Sequence, residues 1–296
     1  MDGDRTSEFL NLAPLGIPTL IIAEDPQLLT AAAAAYAHWL TEAPLADPMI
    51  ELRLEIGSTS SADVSHQIAV DGSRLRLTGT GTSGFADAES GKASATIPAD
   101  IVNDAAAFAD VTDTLLLFLL ARRGRTPVHA SAFLVGDLAV ALAGRSGSGK
   151  STLALAAADR GLPVFSDDMI FVQRQPFAVW GFPRPIHVFA DDAPPGDHPT
   201  RVRSGKTKAA VPLALPALRA ERCKLVVLER GAELALHEIR SHATVDELMN
   251  LDAGFDLLEQ DSRAAIEALA SNGAWRLTLS NNARAAIDLL VSRFSA

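Results

Sequence analysis

The sequence predicts an α/β protein built from two domains, and three observations lead to this fold class. Near the middle of the chain, an apolar run of strand length at residues 138–143 is followed by a glycine-rich loop and a stretch of good helix formers. Residues before 100 contain short segments in which apolar and polar positions alternate, as in antiparallel strands. With 296 residues, of which 48% are hydrophobic, the chain is large enough for two cores. We therefore expect a small α+β domain at 1–100 and an α/β domain at 101–296.

Composition and charge exclude several classes of protein. The formal net charge of −10 argues against an extended nucleic-acid-binding surface. Cys223 is the only cysteine, so no intramolecular disulfide can form, and its apolar surroundings predict a buried structural thiol. The amino terminus lacks the basic-then-apolar order of a secretory signal, and the apolar run at 115–121 is too short to span a bilayer. These features predict a soluble cytoplasmic protein without a membrane or nucleic-acid partner.

The first hundred residues are expected to form strands and one helix. Strands are predicted at 17–23 and 49–56, a helix at 26–41, and a hairpin at 67–78 around the turn at Asp71 and Gly72. Residues 79–84 match the pattern G-x-G-x-x-G, which in dinucleotide-binding proteins opens a helix. Because no helical period follows here, we interpret this segment as a hairpin loop, and we expect the strands of this domain to be antiparallel.

The rest of the chain alternates between helical and strand patterns. A long helix is predicted at 100–122, and two apolar runs around Gly136 and Asp137 predict a β-hairpin whose second strand leads into the glycine-rich loop. Further strands are expected at 169–173, 225–229, 234–239 and 275–279, and helices at 244–249, 261–270 and 282–294. Residues 190–210 combine prolines with charge, which predicts a surface loop; its use as a lid and as a plain linker both remain open.

The glycine-rich loop carries the strongest functional signal. Residues 144–151 match the phosphate-binding pattern G-x-x-x-x-G-K-[ST], between a predicted strand and a predicted helix. In such a loop the backbone N–H groups converge on phosphate oxygens at the positive end of a helix. Lys150 supplies a charge for the outer phosphates, and Ser151 a hydroxyl for Mg²⁺. The pattern predicts ATP and Mg²⁺ as cofactors; the residues expected to contact the nucleotide are Gly144, Arg145, Ser146, Gly147, Ser148, Gly149, Lys150, Ser151 and Thr152.

Two aspartates and one histidine flank the loop in a pattern that suits phosphoryl transfer. Asp167 and Asp168 follow the apolar residues 164–165, and the end of such a strand lies beside the bound phosphates in an α/β sheet. We expect one carboxylate to hold Mg²⁺ and the other to act as a base. A metal site without a base, as in motor ATPases, is the alternative. His129 lies directly before the hairpin that leads into the loop, and this position makes it a further candidate for the active site.

The constellation resembles the catalytic domain of HPr kinase/phosphorylase, a bacterial serine kinase that modifies a carrier protein. The resemblance covers about forty residues: Val128, His129 and Ala130, then the hairpin, the loop at 144–151, Gly161, and Ser166, Asp167 and Asp168. It implies a P-loop kinase domain with a mixed sheet, similar to that of phosphoenolpyruvate carboxykinase. It also implies that Asp168 accepts the proton of the substrate serine, that Lys150 and His129 act in the active site, and that Ser151 and Asp167 lie near Mg²⁺.

The sequence departs from that family at two places. The Glu-Ile-Arg-Gly segment, whose glutamate binds metal, has no counterpart; residues 180–185 stand in its place and offer Arg184 as a catalytic candidate, but no glutamate. The carboxy-terminal signature linked to the phosphorylase reaction is not recognisable, so the resemblance favours the forward kinase reaction. The sequence His-Ala-Ser-Ala at 129–132 is similar to shorter HPr-kinase-related proteins found with peptide-modification machinery, among them kinases of lasso-peptide precursors.

These observations predict a kinase that transfers phosphate from ATP to a serine hydroxyl of a peptide or small protein. Two alternatives remain open: a small-molecule hydroxyl as the acceptor, and a nucleotide-binding switch or assembly ATPase that makes no phosphorylated product. Arg184, or the basic residues Arg201, Arg203, Lys206 and Lys208, are candidates for contacts with an acidic peptide or with charge in the transition state. An oligomer is compatible with the sequence.

Overall fold

The protein, described by a computed structural model, divides into two units between Arg125 and Thr126. The residues that the structure describes are 8–42, 47–58, 66–203, 206–212, 219–249 and 259–295. The division differs from the boundary expected near residue 100, because the long helix at Ala105–Arg122 packs against strands of the first unit. No helix in these described ranges is long and apolar enough to cross a bilayer.

The described part of the first unit is a seven-stranded sheet with two α-helices. Its strand order is β1-β2-β3-β7-β6-β5-β4. The elements are β1 (Glu8–Leu12), β2 (Thr19–Ala23), α1 (Pro26–Ala35), β3 (Ile50–Gly57), β4 (Gln67–Asp71), β5 (Arg74–Gly79), β6 (Thr82–Asp87), β7 (Lys92–Pro98) and α2 (Ala105–Arg122). The expectation of purely antiparallel strands is wrong, since β3 pairs in parallel with both β2 and β7. The crossover through α1 explains the first of these pairs, because a helical connection returns the chain in the same direction.

Side-chain caps define where both helices of this unit begin. The Asp25 carboxylate accepts a hydrogen bond from the Gln27 N–H at 2.8 Å, and Asp104 accepts from the N–H groups of Ala106 and Ala107 at 3.0 Å each. The second helix therefore begins at residue 105, five residues later than its apolar pattern predicts. The helices bury Leu28, Leu29 and Ala32 from α1 and Phe108, Val111, Leu115 and Leu119 from α2.

The described residues of the second unit form three sheets and four α-helices. The strands form a six-stranded sheet of order β11-β9-β10-β18-β20-β19, a four-stranded sheet of order β17-β13-β12-β8 and a three-stranded sheet of order β14-β16-β15. The elements are β8 (Thr126–Val128), β9 (Ala130–Val135), β10 (Leu138–Ala143), α3 (Lys150–Asp159), β11 (Val164–Ser166), β12 (Ile170–Gln173), β13 (Ala178–Gly181), β14 (Ile186–Phe189), β15 (Thr200–Arg203), β16 (Lys206–Val211), β17 (Arg219–Ala220), β18 (Arg222–Arg230), β19 (Ala235–Ile239), α4 (Ser241–Met249), α5 (Glu259–Ser271), β20 (Ala274–Leu279) and α6 (Ala283–Phe294). This is the mixed α/β class predicted from the sequence.

The six-stranded sheet is buried on both faces, by helices on one side and by helices together with the four-stranded sheet on the other. On one face, Leu153 of α3 and Ile287 of α6 pack in a cluster with Val140 and Leu142. On the other face, Leu269 of α5 and Leu248 of α4 belong to a cluster with Leu225 and Val227. This double burial explains why β10 and most of β18 are continuous apolar runs rather than alternating ones.

Strand directions bring four strand ends to one edge of this sheet. β18 pairs in parallel with both β10 and β20. β9 is antiparallel to β10 on one side and to β11 on the other, so β11 runs parallel to β10. The carboxyl ends of β10, β11, β18 and β20 therefore share one edge. Ligands of open α/β sheets bind at such an edge.

The expectation of a surface loop at 190–210 is wrong. The segment contains a short 3-10 turn at Ala190–Asp192 and the strands β15 and β16, which pair with each other and with β14. Val211 and Ala209 of β16 stand opposite Ile186 and Val188 of β14, and all four are buried. The segment is too polar for its own sequence to predict strands. The neighbouring strand β14 provides the buried apolar side chains against which β16 packs.

Candidate functional site

The glycine-rich loop at 144–149 connects β10 to α3, at the edge where four strand ends meet. A Cβ atom on Gly144 would lie 3.1 Å from the carbonyl oxygen of Leu228 at the end of β18. A Cβ atom on Gly149 would lie 2.6 Å from Cδ2 of Leu279 at the end of β20, and Gly149 has a φ of +110°. A side chain at Gly149 would therefore need a strained backbone and a displaced Leu279, and one at Gly144 would crowd the Leu228 carbonyl oxygen.

Polar groups at the start of α3 are available to a ligand. Gly149 occupies the N-cap position of α3 and gives no side-chain hydrogen bond to the first turn. The Ser148 hydroxyl is buried and has no hydrogen-bond partner among the described residues. Uncapped N–H groups at a helix start, next to a buried unpaired hydroxyl, match the needs of an anion.

Lys150 holds its ammonium group over the loop. Its Nζ atom donates hydrogen bonds to the carbonyl oxygens of Gly144 at 2.7 Å and Arg145 at 3.4 Å, and only 7% of the residue is exposed. Burial lowers the pKa of Lys150, the nearby carboxylates of Asp168 and Asp167 act in the opposite direction, and the positive charge of Lys208 lowers it further. A buried cation thus lies where the loop pattern predicts phosphate.

Asp167 and Ser151, the two predicted metal ligands, lie close together. Asp167 is 4% exposed, and its Oδ2 atom accepts a hydrogen bond from the His187 backbone N–H at 2.8 Å. Its Oδ1 atom is buried and meets no hydrogen-bond donor at bonding geometry among the described residues. Burial raises the pKa of Asp167, while the adjacent Ser151 hydroxyl and the His187 N–H favour its charged form.

These donors fit Mg²⁺ bound together with a nucleotide. Within the described ranges there is no group of three or more His, Cys, Asp or Glu side chains arranged to hold a metal by themselves. Mg²⁺ in nucleotide sites typically takes one or two protein oxygens and completes its shell with phosphate and water. The Asp167 carboxylate, with its buried Oδ1 atom, and the neighbouring Ser151 hydroxyl provide such a pair of oxygens.

Asp168 lies in a different environment from its neighbour. Its side chain is 62% exposed, and its Oδ1 atom lies 3.2 Å from Nδ1 of His129. His129 occupies the single position between β8 and β9, so the pairing of β9 with β11 brings it to the Asp pair. The structure thereby brings together Lys150, Asp167, Asp168 and His129 at one edge of the sheet.

The remaining predicted residues lie in the loop, in the first turn of α3 and between β13 and β14. Arg145 and Ser146 are exposed in the loop, and Thr152 is exposed in the first turn of α3. Arg184 lies between β13 and β14, where its guanidinium group sits 4.6 Å from the Phe182 ring and donates to the Pro183 carbonyl oxygen at 3.1 Å. The side chains of residues 201–206 lie outside the described part of the structure.

Three residues at the site are not predicted by the sequence pattern. His187 contacts Asp167 through its backbone N–H, which leaves no mark on the side-chain pattern. The Ser131 hydroxyl donates to the Lys150 carbonyl oxygen at 3.3 Å. Arg230 ends β18, and its guanidinium group lies beside Gly149. A signal for Arg230 existed, because a charged residue that ends a buried parallel strand lies at the ligand-binding edge.

Comparison with known proteins gives a distant likeness among solved structures. No protein-family model matches the sequence, and no curated protein matches it. Among solved structures, the HPr(Ser) kinase/phosphatase from Coxiella burnetii matches at 14% identity with a TM-score of 0.31, over 57% of this chain and 95% of that chain. At this identity and TM-score the relationship is distant.

Proposed function

We propose that this protein is an ATP- and Mg²⁺-dependent kinase that transfers the γ-phosphoryl group of ATP to a serine hydroxyl of a peptide or small protein. One observation carries the proposal: a phosphate-binding loop, a buried carboxylate beside Ser151, and an exposed carboxylate paired with His129 meet at one edge of a sheet. Phosphoryl transfer needs these three elements to bind phosphate, compensate its charge and accept a proton.

The loop and the buried groups serve nucleotide binding. Backbone N–H groups of residues 144–152 and the Lys150 ammonium group bind the phosphates. Ser151 and Asp167 hold Mg²⁺, which when bound neutralises charge on the phosphate oxygens. The burial of Lys150 and Asp167 strengthens their electrostatic contribution, because the surrounding medium is less polarisable than water.

Asp168 acts as the base. Its carboxylate accepts the proton of the serine hydroxyl while the serine oxygen forms a bond to the γ-phosphorus. The bond between the γ-phosphorus and the oxygen that bridges to the β-phosphorus breaks, and its electron pair leaves with ADP. His129 orients Asp168 by contacting Oδ1. This pair favours a kinase over a metal site without a base.

The exposure of Asp168 favours a polypeptide acceptor. With 62% of its side chain exposed, the carboxylate is open to a hydroxyl carried on a large substrate. Arg184 and Lys208 provide positive charge for an acidic segment of that substrate or for the transition state. A ribosomally made precursor peptide can carry a serine hydroxyl together with an acidic segment, and we propose such peptides as the substrate class.

The test is incubation with ATP, Mg²⁺ and candidate precursor peptides, followed by mass spectrometry. We expect a phosphoserine product from the wild type and strongly reduced product formation by Asp168→Asn, while both proteins bind ATP. ADP release with a metabolite, but without phosphopeptide, would move the acceptor to a small molecule. ATP binding with slow hydrolysis and no phosphorylated product at all would replace the kinase with a nucleotide-dependent switch.

A further inference from the structure

Arg230 stands at the carboxyl end of β18, next to the glycine-rich loop. In the parallel pair with β10, the last residue of that strand, Ala143, stands opposite Val227. β18 continues for three residues beyond this point and ends at Arg230, which pairs with Leu279 of β20. Arg230 therefore projects from the sheet edge at which the loop begins.

The guanidinium group of Arg230 lies against the start of α3. A Cβ atom on Gly149 would be 3.2 Å from one of its terminal nitrogens and 3.6 Å from Cζ. Gly149 directly precedes Lys150, the first residue of α3. Arg230 thus places a second cationic side chain beside Lys150 at the start of this helix.

No carboxylate forms an ion pair with Arg230 in the described part of the chain. Its neighbour Glu229 accepts a hydrogen bond from Thr278 at 2.7 Å and pairs with Arg276 at 3.6 Å. Arg276 also pairs with Glu247. Among the described residues, the Arg230 side chain forms no ion pair and no hydrogen bond, and it is exposed.

This arrangement is unfavourable without an anion. The amino-terminal end of a helix carries a partial positive charge, so a cation next to it is destabilising by a few tenths of a kcal/mol up to about 1 kcal/mol. An independent observation in the same loop is the buried Ser148 hydroxyl, which has no partner among the described residues. One negatively charged group bound in the loop would offset the positive charge of Arg230 and accept a hydrogen bond from the Ser148 hydroxyl.

We infer that Arg230 binds the phosphate chain of the nucleotide from the side of β18. The inference rests on the proposed function in one respect, namely that the loop takes a nucleoside triphosphate. It adds a binding residue from outside the loop motif. A guanidinium group suits this role because it donates several hydrogen bonds to phosphate oxygens in a fixed geometry.

The experiment measures nucleotide affinity and requires no acceptor. Isothermal titration with ATP and ADP, each with Mg²⁺, is carried out on the wild type and on Arg230→Gln, Arg230→Lys and Arg222→Gln. Arg222 is the matched control, because it begins the same strand at the opposite end and pairs there with Asp137 at 3.2 Å. We expect Arg230→Gln to weaken ATP binding roughly ten- to hundred-fold, the loss that follows from one charged hydrogen bond. Arg230→Lys should lose less, and Arg222→Gln should bind like the wild type.

The outcomes separate this inference from the proposed function. Equal ATP affinity of the wild type and Arg230→Gln overturns the inference and leaves the kinase proposal standing. An equal loss in Arg222→Gln also overturns it, because the effect would then follow from net charge alone. A wild type that binds neither nucleotide overturns both. Thermal unfolding of the Arg230 variants shows whether they are folded, and the conservative lysine variant provides a second measurement.

Discussion

The Nδ1 atom of His129 lies 3.2 Å from Oδ1 of Asp168, although the two residues belong to different strand connections. His129 lies between β8 and β9, and Asp168 follows β11. The contact depends on the pairing of β9 with β11, in which Ala132 stands opposite Ser166. One oxygen of an exposed carboxylate is thereby held by an imidazole ring, and this pair is the part of the site most open to test.

Removal of the His129 ring should lower kcat more than it changes the KM for ATP. His129→Ala frees the Asp168 carboxylate to rotate, and we expect kcat to fall about ten-fold or more, while Asp168→Asn should fall by roughly 10²- to 10⁴-fold. His129→Asn retains a nitrogen near the Nδ1 position and should keep more activity than the alanine variant. Steady-state kinetics with the peptide substrate measure these effects. Wild-type kcat in His129→Ala would show that the ring does not position the base.

Asp167→Asn should stabilise the protein in the absence of Mg²⁺ while it abolishes turnover. Burial raises the pKa of Asp167 above its ordinary value of 3.8, so the native state holds this proton more tightly than the unfolded state does. The resulting stabilisation is complete below the unfolded pKa and is lost as the pH rises through the folded pKa. Ionisation of this buried carboxylate at higher pH therefore costs stability, and asparagine, which does not ionise, removes that cost.

Urea unfolding in EDTA at several pH values measures the free energy of unfolding for this comparison. We expect Asp167→Asn to be more stable than the wild type at pH 7 and to show a flatter pH dependence above pH 3.8. The exposed Asp137→Asn variant is the control and should change stability little. Lower stability of Asp167→Asn at pH 7 would mean that its hydrogen bonds outweigh the cost of burial.

Gly149→Ala should abolish nucleotide binding and destabilise the fold. A methyl group would meet Leu279 at 2.6 Å, and a φ of +110° is strained for any residue with a side chain. Gly136→Ala separates the two causes, because Gly136 has a φ of +64° but no atom within 4 Å of the added methyl group. We expect Gly136→Ala to cost stability, on the order of 1 kcal/mol, and to bind ATP normally. Calorimetric titration and denaturant unfolding measure both variants. ATP binding by Gly149→Ala at wild-type strength would contradict the close packing of the loop.

Tyr36→Phe should destabilise the first unit without any effect on nucleotide affinity. The Tyr36 hydroxyl is buried and lies 2.8 Å from both Thr112 Oγ1 and Asp113 Oδ1. Loss of these hydrogen bonds should cost about 1–3 kcal/mol, since polar groups on α2 lose a buried partner. Denaturant unfolding followed by circular dichroism measures the change. Unaltered unfolding would show that water replaces the hydroxyl.

The elements that the sequence predicts well are those whose signal is local. The run at 138–143 is buried throughout and forms β10, and the Asp25 cap with Pro26 marks the start of α1 at the predicted residue. The loop motif likewise follows from adjacent residues alone. The location of Asp167 and Asp168 near the loop follows from general strand topology, because β11 runs parallel to β10 and ends at the same edge of the sheet.

The elements that escaped prediction depend on residues distant in the sequence. β16 is a strand because β14 supplies buried partners for Ala209 and Val211, which its own polar neighbours do not reveal. The contrast between buried Asp167 and exposed Asp168 also depends on context, since the His187 N–H reaches only the first of them. Adjacent identical residues carry no local signal that distinguishes their roles.

The β9–β10 hairpin has its open end at the site and its turn at the opposite edge of the sheet. Ala130 stands opposite Ala143 at the open end, while Gly136 and Asp137 form the exposed turn. Inserted residues at the turn would extend away from the loop, whereas one added residue within β9 would shift His129 against both neighbouring strands. The turn is therefore the position at which a fluorophore or affinity handle can be attached without entering the reaction centre.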